Sequence, residues 1–267
     1  MNPYIKLPNV QIVNGRQELI LAKCKNKCVL HLGCVDSGLL HERFERGELM
    51  HQKLSDVANE IWGVDIDASG ISYLNNKGFN NLIVADISKL DEIEIIQKQS
   101  FDVVVASEVI EHLQNPGLFL NSVRSLMIPE KTEFIVTVPN AFRIDNLIWL
   151  LRGIEYVHPD HSYWFSYHTA TNLLRKNNYK ISEVYVYTFI PAEIVPGRIR
   201  SIFNKKRGGS KKREAENELI TSMSLMKLIF SYCKSFPRRL VGSLLYKRTP
   251  FWGDGIILVS TSAGDKY

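Results

Sequence analysis

Cysteine and long apolar runs are both scarce in this chain of 267 residues. Its cysteines include one close pair, Cys24 and Cys28, and no second pair matches it, so the sequence predicts free thiols and not a disulfide framework. No apolar run reaches the ~18 residues that a transmembrane helix needs. The N-terminal residues also lack the apolar stretch and cleavage site of a signal peptide. These absences favour a cytoplasmic protein.

An excess of positive charge is missing from most of the chain and is confined to one segment. Residues 198–248 hold 14 Lys or Arg against 3 acidic residues, a net charge of +11. Since the whole chain has a formal charge of +5, the remaining residues carry −6. A basic character is therefore a property of that segment and not of the rest, whose composition is typical of a globular domain.

A complete G-x-G-x-x-G fingerprint is also missing, although part of its pattern is present. The apolar run CVLHL leads into the turn GCVDSG, in which Gly33 and Gly38 match the pattern but Val35 stands at the second glycine position. The next apolar run, IWGVD, ends on Asp65. A strand, a turn of small residues and a second strand ending on an acid are how an α/β sheet holds an adenosine, because the acid accepts the ribose hydroxyl protons.

Two further apolar runs end on polar residues in the same way. NLIVADI puts Asp86 at the end of a third strand, and FDVVVASEVIEHL runs from a fourth strand into Ser107 and Glu108. Because the carboxyl ends of parallel strands meet at one edge of a sheet, these side chains are expected to lie together.

With these motifs in this order, the chain resembles class I S-adenosylmethionine-dependent methyltransferases. A nicotinamide-binding Rossmann domain is the alternative, but it does not require EVIEHL after the fourth strand. In the methyltransferase family the first acid holds the ribose, the second faces the adenine and the fourth strand end touches the methionine part. The resemblance therefore implies S-adenosyl-L-methionine as cofactor. It assigns contacts with this methyl donor, called donor contacts below, to Gly33, Cys34, Asp36, Gly38, Asp65, Ile66, Asp86, Ile87, Ser107 and Glu108.

The predicted fold is a doubly wound, Rossmann-like α/β domain with a seven-stranded, mostly parallel sheet. Residues 1–190 and 251–267 are expected to form the S-adenosylmethionine-binding core, and 191–250 a basic, partly helical insertion before the last strand. Helices are predicted over residues 16–23, 68–77, 88–97, 116–127 and 169–176, together with a crossover helix before the second strand.

Methyl transfer to a hydroxyl needs a positioned base or a metal that lowers the hydroxyl pKa. SEVIEHL supplies Glu108, Glu111 and His112, which share one face if a helical turn begins at Glu108. The later segment HPDH, residues 158–161, adds two more imidazoles and a carboxylate. Carboxylates and imidazoles of this kind suit Mg²⁺ or Mn²⁺.

This part of the chain also resembles ubiquinone-pathway O-methyltransferases and small-RNA 3′-terminal 2′-O-methyltransferases, in which an E-x-x-E-H motif binds a metal. The resemblance implies Glu108, Glu111, His112 and His161 as ligands. HPDH differs from the H-D-H pattern of the RNA enzymes, so the choice between His158 and His161 stays open. So do two alternatives: a metal-free catalytic base at His112 or His161, and histidines with a purely structural role.

The variant turn HLGCVD, the acid in GVDID and the HPDH segment also look like methyltransferases of bacterial glycan and natural-product biosynthesis. This implies O-methylation of a sugar or other small-metabolite hydroxyl. An RNA 2′-O-methyltransferase and a non-catalytic adenosine-binding module are the alternatives. Residues 198–248 are interpreted as a helical cap, as a peripheral contact with an anionic membrane at its inner face, or as a polyanion site. No RNA-binding module signature is present, which disfavours nucleic acid as a partner.

Overall fold

A computed structural model of the chain describes residues 4–189 and 250–263. The chain divides into two units, residues 1–188 with 250–267 and residues 189–249. The predicted insertion at 191–250, including the basic segment, lies outside the described residues, and its boundaries stay a prediction. Within the described ranges, no helix has the length and apolar character to cross a bilayer.

One sheet runs through the described part of the chain. Its strands are β1 (Gln11–Asn14), β2 (Cys28–Leu32), β3 (Glu60–Asp65), β4 (Leu82–Val84), β5 (Val103–Ser107), β6 (Glu133–Pro139), β7 (Tyr179–Thr188) and β8 (Gly255–Ser262). Their spatial order is β1-β7-β8-β6-β5-β2-β3-β4. All pairs are parallel except those of β8, which runs antiparallel to both β6 and β7. The predicted fold class, doubly wound and mostly parallel, is confirmed.

The predicted number of seven strands is wrong by one, because β1 adds an eighth. This strand is only four residues long and pairs in parallel with the end of β7, from Gln11 opposite Tyr185 to Asn14 opposite Thr188. The short QIVN has no alternation long enough to indicate a strand, and its partner lies more than 170 residues away in the sequence. Such an edge strand is specified by long-range pairing and not by local pattern.

The helices are α1 (Gln17–Cys24), α2 (Leu40–Glu45), α3 (Met50–Ser55), α4 (Ala68–Asn76), α5 (Glu94–Gln97), α6 (Pro116–Ser125), α7 (Ile144–Leu150) and α8 (Tyr167–Lys176). Their starts follow capping chemistry. Asn115 accepts the N–H of Leu118 at 3.1 Å ahead of Pro116, and Asp67 accepts the N–H groups of Ser69 and Gly70 at 3.0 Å.

The predicted continuous helix over residues 88–97 is wrong. A 3₁₀ segment, Ile87–Glu92, comes first, and α5 follows only after Ile93 adopts an extended conformation. Asp86 caps the 3₁₀ segment by accepting the N–H of Ser88 at 2.8 Å. Inside it Lys89 leaves the helical region with φ −132°. Between β2 and β3 the chain forms two short helices, α2 and α3, and α3 is the crossover helix predicted before the second strand.

Side chains alternate between two apolar layers on opposite faces of the sheet. Leu30 and Leu32 of β2 lie in the layer covered by α5, α6 and α8. Val29 of the same strand faces the layer covered by α1 and α3. A strand buried on both sides reads as a continuous apolar run, which is why CVLHL and VVVA were recognisable in the sequence.

The strand order reverses between β2 and β5, and this point positions the site. Leu32 pairs with Val64 on one side and with Ala106 on the other. Consequently Asp65 and Ser107, the last residues of β3 and β5, lie level with the residue that follows β2. In open α/β sheets the crevice at such a reversal is where ligands bind.

Two histidines are buried together beneath this edge. His31 of β2 and His51 of α3 stack with their ring centroids 5.5 Å apart and their Nδ1 atoms 3.3 Å apart. Gly63 leaves room for the second ring, since a Cβ there would lie 2.9 Å from its Cε1 atom. Burial lowers the pKa of His51 to about 4, and burial together with the neighbouring ring lowers the pKa of His31 well below its usual value.

We expect this pair to make the fold sensitive to acid. The unfolded chain protonates both imidazoles near pH ~6.5, whereas the folded chain keeps His51 neutral down to about pH 4 and also holds the pKa of His31 well below its usual value, so the unfolded state binds more protons in this window. The free energy of unfolding should fall as pH drops through this window, with a slope of about 1.4 kcal/mol per pH unit for each group. Urea unfolding between pH 7 and pH 4.5 measures it.

The matched variants are His51→Leu, which removes one buried imidazole at similar volume, and His168→Leu, which removes an exposed one in α8. The first should reduce the pH slope and the second should leave it unchanged. An unaltered slope in the His51 variant would contradict the expectation.

Candidate functional site

The turn after β2 brings its backbone against the acid that ends β3. Gly33 has φ +69°, and a Cβ there would lie 2.6 Å from a methyl group of Val109. The backbone N–H of Val35 donates to Oδ2 of Asp65 at 2.9 Å, and the backbone N–H of Asp67 donates to Oδ1 of Asp65 at 3.0 Å. The carboxylate is therefore held in one orientation, with lone pairs left for a diol.

Val35 occupies the position where the dinucleotide fingerprint has a second glycine. Its side chain is fully buried against Ile71 and Leu74 of α4. The space comes from Gly70, where an added Cβ would lie 2.1 Å from Cγ1 of Val35. The absence of a side chain at Gly70 in α4 thus makes room for the side chain of Val35 in the turn. Val35 is then a packing residue, and its N–H still faces Asp65.

Most of the other predicted donor contacts lie along this edge. Ile66, directly after Asp65, is 75% exposed, as an apolar residue that could cover a planar base. Asp86 is exposed where β4 ends, and Ile87 follows it. Gly38 closes the turn with φ +87°.

Two predicted donor contacts have other surroundings. The Cys34 side chain is buried, and burial raises the pKa of its thiol. Only the backbone of Cys34 is therefore available for a contact with the methyl donor. Asp36 adopts φ +58° and forms an ion pair with Arg43 of α2. The turn is therefore tied to the helix that follows it.

Ser107 and Glu108, predicted from the end of β5, face a network that the sequence did not indicate. Glu108 has φ +58°, and its Oε1 atom accepts the hydroxyl protons of Thr137 and Tyr187, each at 2.9 Å. Arg16 donates its Nε–H to Oγ of Ser107 at 2.8 Å. A cation, a carboxylate and three hydroxyls thus meet at one strand end.

Arg16 is a functional candidate that sequence reasoning missed. It precedes α1, and its guanidinium also lies 5.7 Å from the centre of the Tyr187 ring. Burial lowers the pKa of the guanidinium, but the charges of Glu108 and other facing groups outweigh it and raise the pKa overall. Nothing local marks Arg16, Thr137 or Tyr187, because each reaches the site only through the sheet pairing of β1, β6 and β7.

Glu111 is buried next to this network. Only 1% of it is exposed, and within the described residues neither carboxylate oxygen has a hydrogen-bond partner. Burial, and then the charge of Glu108, raises the pKa of Glu111 to about 9. At neutral pH it is an uncharged acid that can donate a hydrogen bond.

The expectation that Glu108, Glu111 and His112 share a helical face is wrong. The helical turn is a single 3₁₀ turn, Ile110–His112, and Glu108 stands before it in a left-handed conformation. The positive φ turns Glu108 back over the sheet edge, towards Thr137. The four ligands implied by resemblance therefore do not converge through a helix, and their binding of Mg²⁺ or Mn²⁺ stays a prediction.

The described residues instead contain a cluster of three imidazoles. One ligand nitrogen from each of His112, His158 and His161 lies within 4.8 Å of the others. The rings of His112 and His161 are edge to face at 4.6 Å. Burial, followed by the neighbouring rings, lowers the pKa of His161 to about 4 and lowers the pKa of His112 as well.

Aromatic side chains flank His158 and His161 in the sequence. Trp149 and Tyr156 stack at 6.1 Å, and Tyr163 donates its hydroxyl to the carbonyl of Gln114 at 3.0 Å. Tyr163 and Trp164 are 38% and 40% exposed. The edge can thus offer flat apolar surfaces beside the neutral imidazoles.

Comparison with known proteins gives the same picture as the geometry. The model of a family described as a methyltransferase domain matches residues 12–184, well over half of the chain. A ubiquinone biosynthesis O-methyltransferase of Rhodopseudomonas palustris (strain TIE-1) is 28% identical over 129 residues, 48% of this chain and 46% of that protein. One of Coxiella burnetii (strain Dugway 5J108-111) is 25% identical over 164 residues, 58% and 63% respectively. The chain spans about half the length of the curated relatives it matches.

Two solved structures share the fold. The small RNA methyltransferase HEN1 superposes with a TM-score of 0.50 at 17% identity, covering 94% of this chain and 25% of that one. A methyltransferase in complex with the Trm112 activator of Haloferax volcanii gives 0.50 at 13% identity, covering 94% and 89%. This shared fold agrees with the family match and with the strand ends suited to binding S-adenosylmethionine. The chain belongs to the methyltransferase domain family, as a class I S-adenosylmethionine-dependent methyltransferase.

Proposed function

We propose that the protein transfers the methyl group of S-adenosylmethionine to an acidic hydroxyl, such as a phenol, of a small molecule. The observation that carries the proposal is that neutral imidazoles follow the end of β5, at the edge of the sheet whose residues are suited to binding S-adenosylmethionine. His112 lies four residues beyond Glu108, and His161 is linked to the same turn by the hydrogen bond from Ser162 N–H to the Glu111 carbonyl, 2.8 Å.

The residues at this edge fit the donor from one end to the other. Asp65 offers a fixed carboxylate for the ribose hydroxyls, and the Gly33 turn allows a close backbone approach. The methionine part carries an ammonium and a carboxylate. Glu108 and Arg16, held together beside Ser107, have the opposite charges in matching positions.

S-adenosylmethionine supplies a methyl group on a positively charged sulfur. When the acceptor oxygen attacks that carbon, an O–C bond forms, the S–C bond breaks and the hydroxyl proton must leave. His161 or His112 takes the proton on its free ring nitrogen, since a pKa below the usual value keeps both rings neutral at pH 7. Alignment of the two reactants supplies the rest of the rate enhancement.

The low basicity of the imidazoles favours one class of hydroxyl. A phenol loses its proton near pH ~10, whereas an ordinary alcohol is closer to water at ~15.7. A base with a pKa of about 4 is poorly matched to both, but the mismatch is far smaller for a phenol. The aromatic surfaces of Tyr163 and Trp164 suit a planar acceptor as well.

The relatives named as ubiquinone biosynthesis O-methyltransferases support transfer to oxygen. They give no support to the sugar or glycan acceptor expected from the sequence. HEN1 shares the fold alone, so it does not favour the RNA alternative. Peripheral contact of residues 198–248 with an anionic membrane stays a prediction, and those residues lie outside the described ranges.

Replacing Asp65 should weaken donor binding. Asp65→Ala removes the charged acceptor of the ribose hydroxyls, which is worth about 1–3 kcal/mol. Calorimetric titration with S-adenosylmethionine and S-adenosylhomocysteine measures the loss. Asp56→Ala, which removes an exposed carboxylate after α3, is the matched control and should bind normally. Absence of binding by the unaltered protein would overturn S-adenosylmethionine as the donor.

Arg16→Gln should weaken binding only for ligands that carry the methionine carboxylate. We expect a loss of about 1.5–3 kcal/mol for S-adenosylhomocysteine and no loss for 5′-methylthioadenosine, which lacks the amino-acid part. Arg46→Gln, on the exposed side of α2, is the control. If both ligands lose affinity equally, Arg16 acts through the fold and not through the carboxylate.

The acceptor itself is identified by a screen with a labelled methyl donor. Phenols and catechols should be methylated on oxygen, and sugar nucleotides, lipid-linked sugars and RNA 3′ ends should not. His161→Gln should lower turnover about 10²–10⁴-fold and leave the affinity for S-adenosylhomocysteine unchanged. Transfer to sugars, RNA or protein alone would overturn the proposed acceptor class.

A further inference from the structure

We propose that the imidazoles of His112, His158 and His161 form a binding site for a divalent transition-metal ion, and that Zn²⁺ is the ion best suited to it. The ligand set differs from the one implied by resemblance, because His158 enters it and the carboxylates leave it. The proposal does not depend on the identity of the methyl acceptor. An ion held by all three rings would leave neither His112 nor His161 free as the base, so the ion would replace that base by lowering the pKa of the acceptor hydroxyl, whose proton would pass to water.

Backbone hydrogen bonds hold the three ligands in one place. His161 donates its N–H to the carbonyl of His158 at 3.0 Å, so the two histidines stand at the ends of a single turn. Ser162 then donates to the carbonyl of Glu111 at 2.8 Å, and Tyr163 to the same carbonyl at 3.3 Å. This fixes the turn against the residue that precedes His112. The cluster is therefore built by the chain path and not by a chance approach of surface side chains.

A carboxylate stands beside one of the rings in the manner of an outer-shell partner. Nδ1 of His158 accepts the backbone N–H of Asp160 at 3.3 Å, and Oδ2 of Asp160 lies 3.8 Å from the same nitrogen. Binding of an ion at Nε2 would put the ring proton on Nδ1, so the Asp160 N–H would have to turn away for the carboxylate to accept that proton. Carboxylate–histidine–metal arrangements of this kind orient the ligand and increase its basicity.

The chemistry of the ligands decides which ion fits. Imidazole nitrogen suits zinc, copper, nickel and iron, whereas Mg²⁺ and Ca²⁺ prefer oxygen. Oε1 of Glu108 accepts the hydroxyl protons of Thr137 and Tyr187. Three imidazoles with two of them exposed leave a coordination position for water or another ligand, which is typical of open zinc sites.

Metal binding by the full chain tests the proposal without any methyl transfer. After treatment with a chelator, the protein is titrated with Zn²⁺ against a chromophoric competitor, and Co²⁺ is used in parallel for its visible absorption spectrum. We expect one ion per chain and a Co²⁺ spectrum that changes with the ligand set. His158→Ala should lower Zn²⁺ affinity at least about tenfold, and so should His112→Ala and His161→Ala.

Two variants serve as controls. His168→Ala removes an exposed histidine of α8 outside the cluster and should leave the affinity unchanged. Glu108→Gln should also leave it unchanged. Equal Zn²⁺ affinity in the triple histidine variant and the unaltered protein would overturn the proposal. A loss in Glu108→Gln with none in His158→Ala would overturn it too, in favour of the carboxylate-containing set. Thermal unfolding of each variant without metal shows that the fold is intact.

Discussion

Parallel hydrogen bonding between β2 and β5 joins two halves of a sheet that are wound in opposite directions. The register that pairs Leu32 with Ala106 also aligns the ends of the strands, so the glycine turn, Asp65 and Ser107 reach the same edge at the same height. The glycine turn, Asp65 and Ser107 are attached to these strand ends, whereas Arg16 and His161 come from other parts of the chain. A slip of one residue in this pairing would turn each of them to the opposite face of the sheet.

The turn after β2 shows that a binding turn can lose a glycine and keep its geometry. The backbone N–H of Val35 still reaches Asp65, because the requirement lies in the main chain. The added isopropyl group is buried against α4, where Gly70 provides the space. A strict motif search treats Val35 as a defect, whereas packing shows that the defect and its compensation lie 35 residues apart.

Much of this fold could be predicted from local sequence. Doubly buried strands, the caps at Asp67 and Asn115, and acids at strand ends are local signals, and they led to Asp65 and Asp86. Several of the failures are long-range. β1 exists only because β7 pairs with it, Arg16 reaches Ser107 across 91 residues of sequence, and Tyr187 reaches Glu108 across 79. The helix assumed at Glu108 failed because a left-handed residue intervenes, which no periodicity reports.

The antiparallel placement of β8 has a consequence for how this enzyme can change. Since Tyr187 pairs with Gly255, the chain leaves the sheet after β7 and returns to it at an adjacent point, on the same edge as the strand ends that bear Asp65 and Ser107. Because β7 and β8 pair with each other, they bring together the two ends of the segment that connects them. Its length then adds only a slowly growing entropy cost to folding. The connecting segment can therefore differ in length or sequence while the sheet and the residues at its strand ends remain as they are.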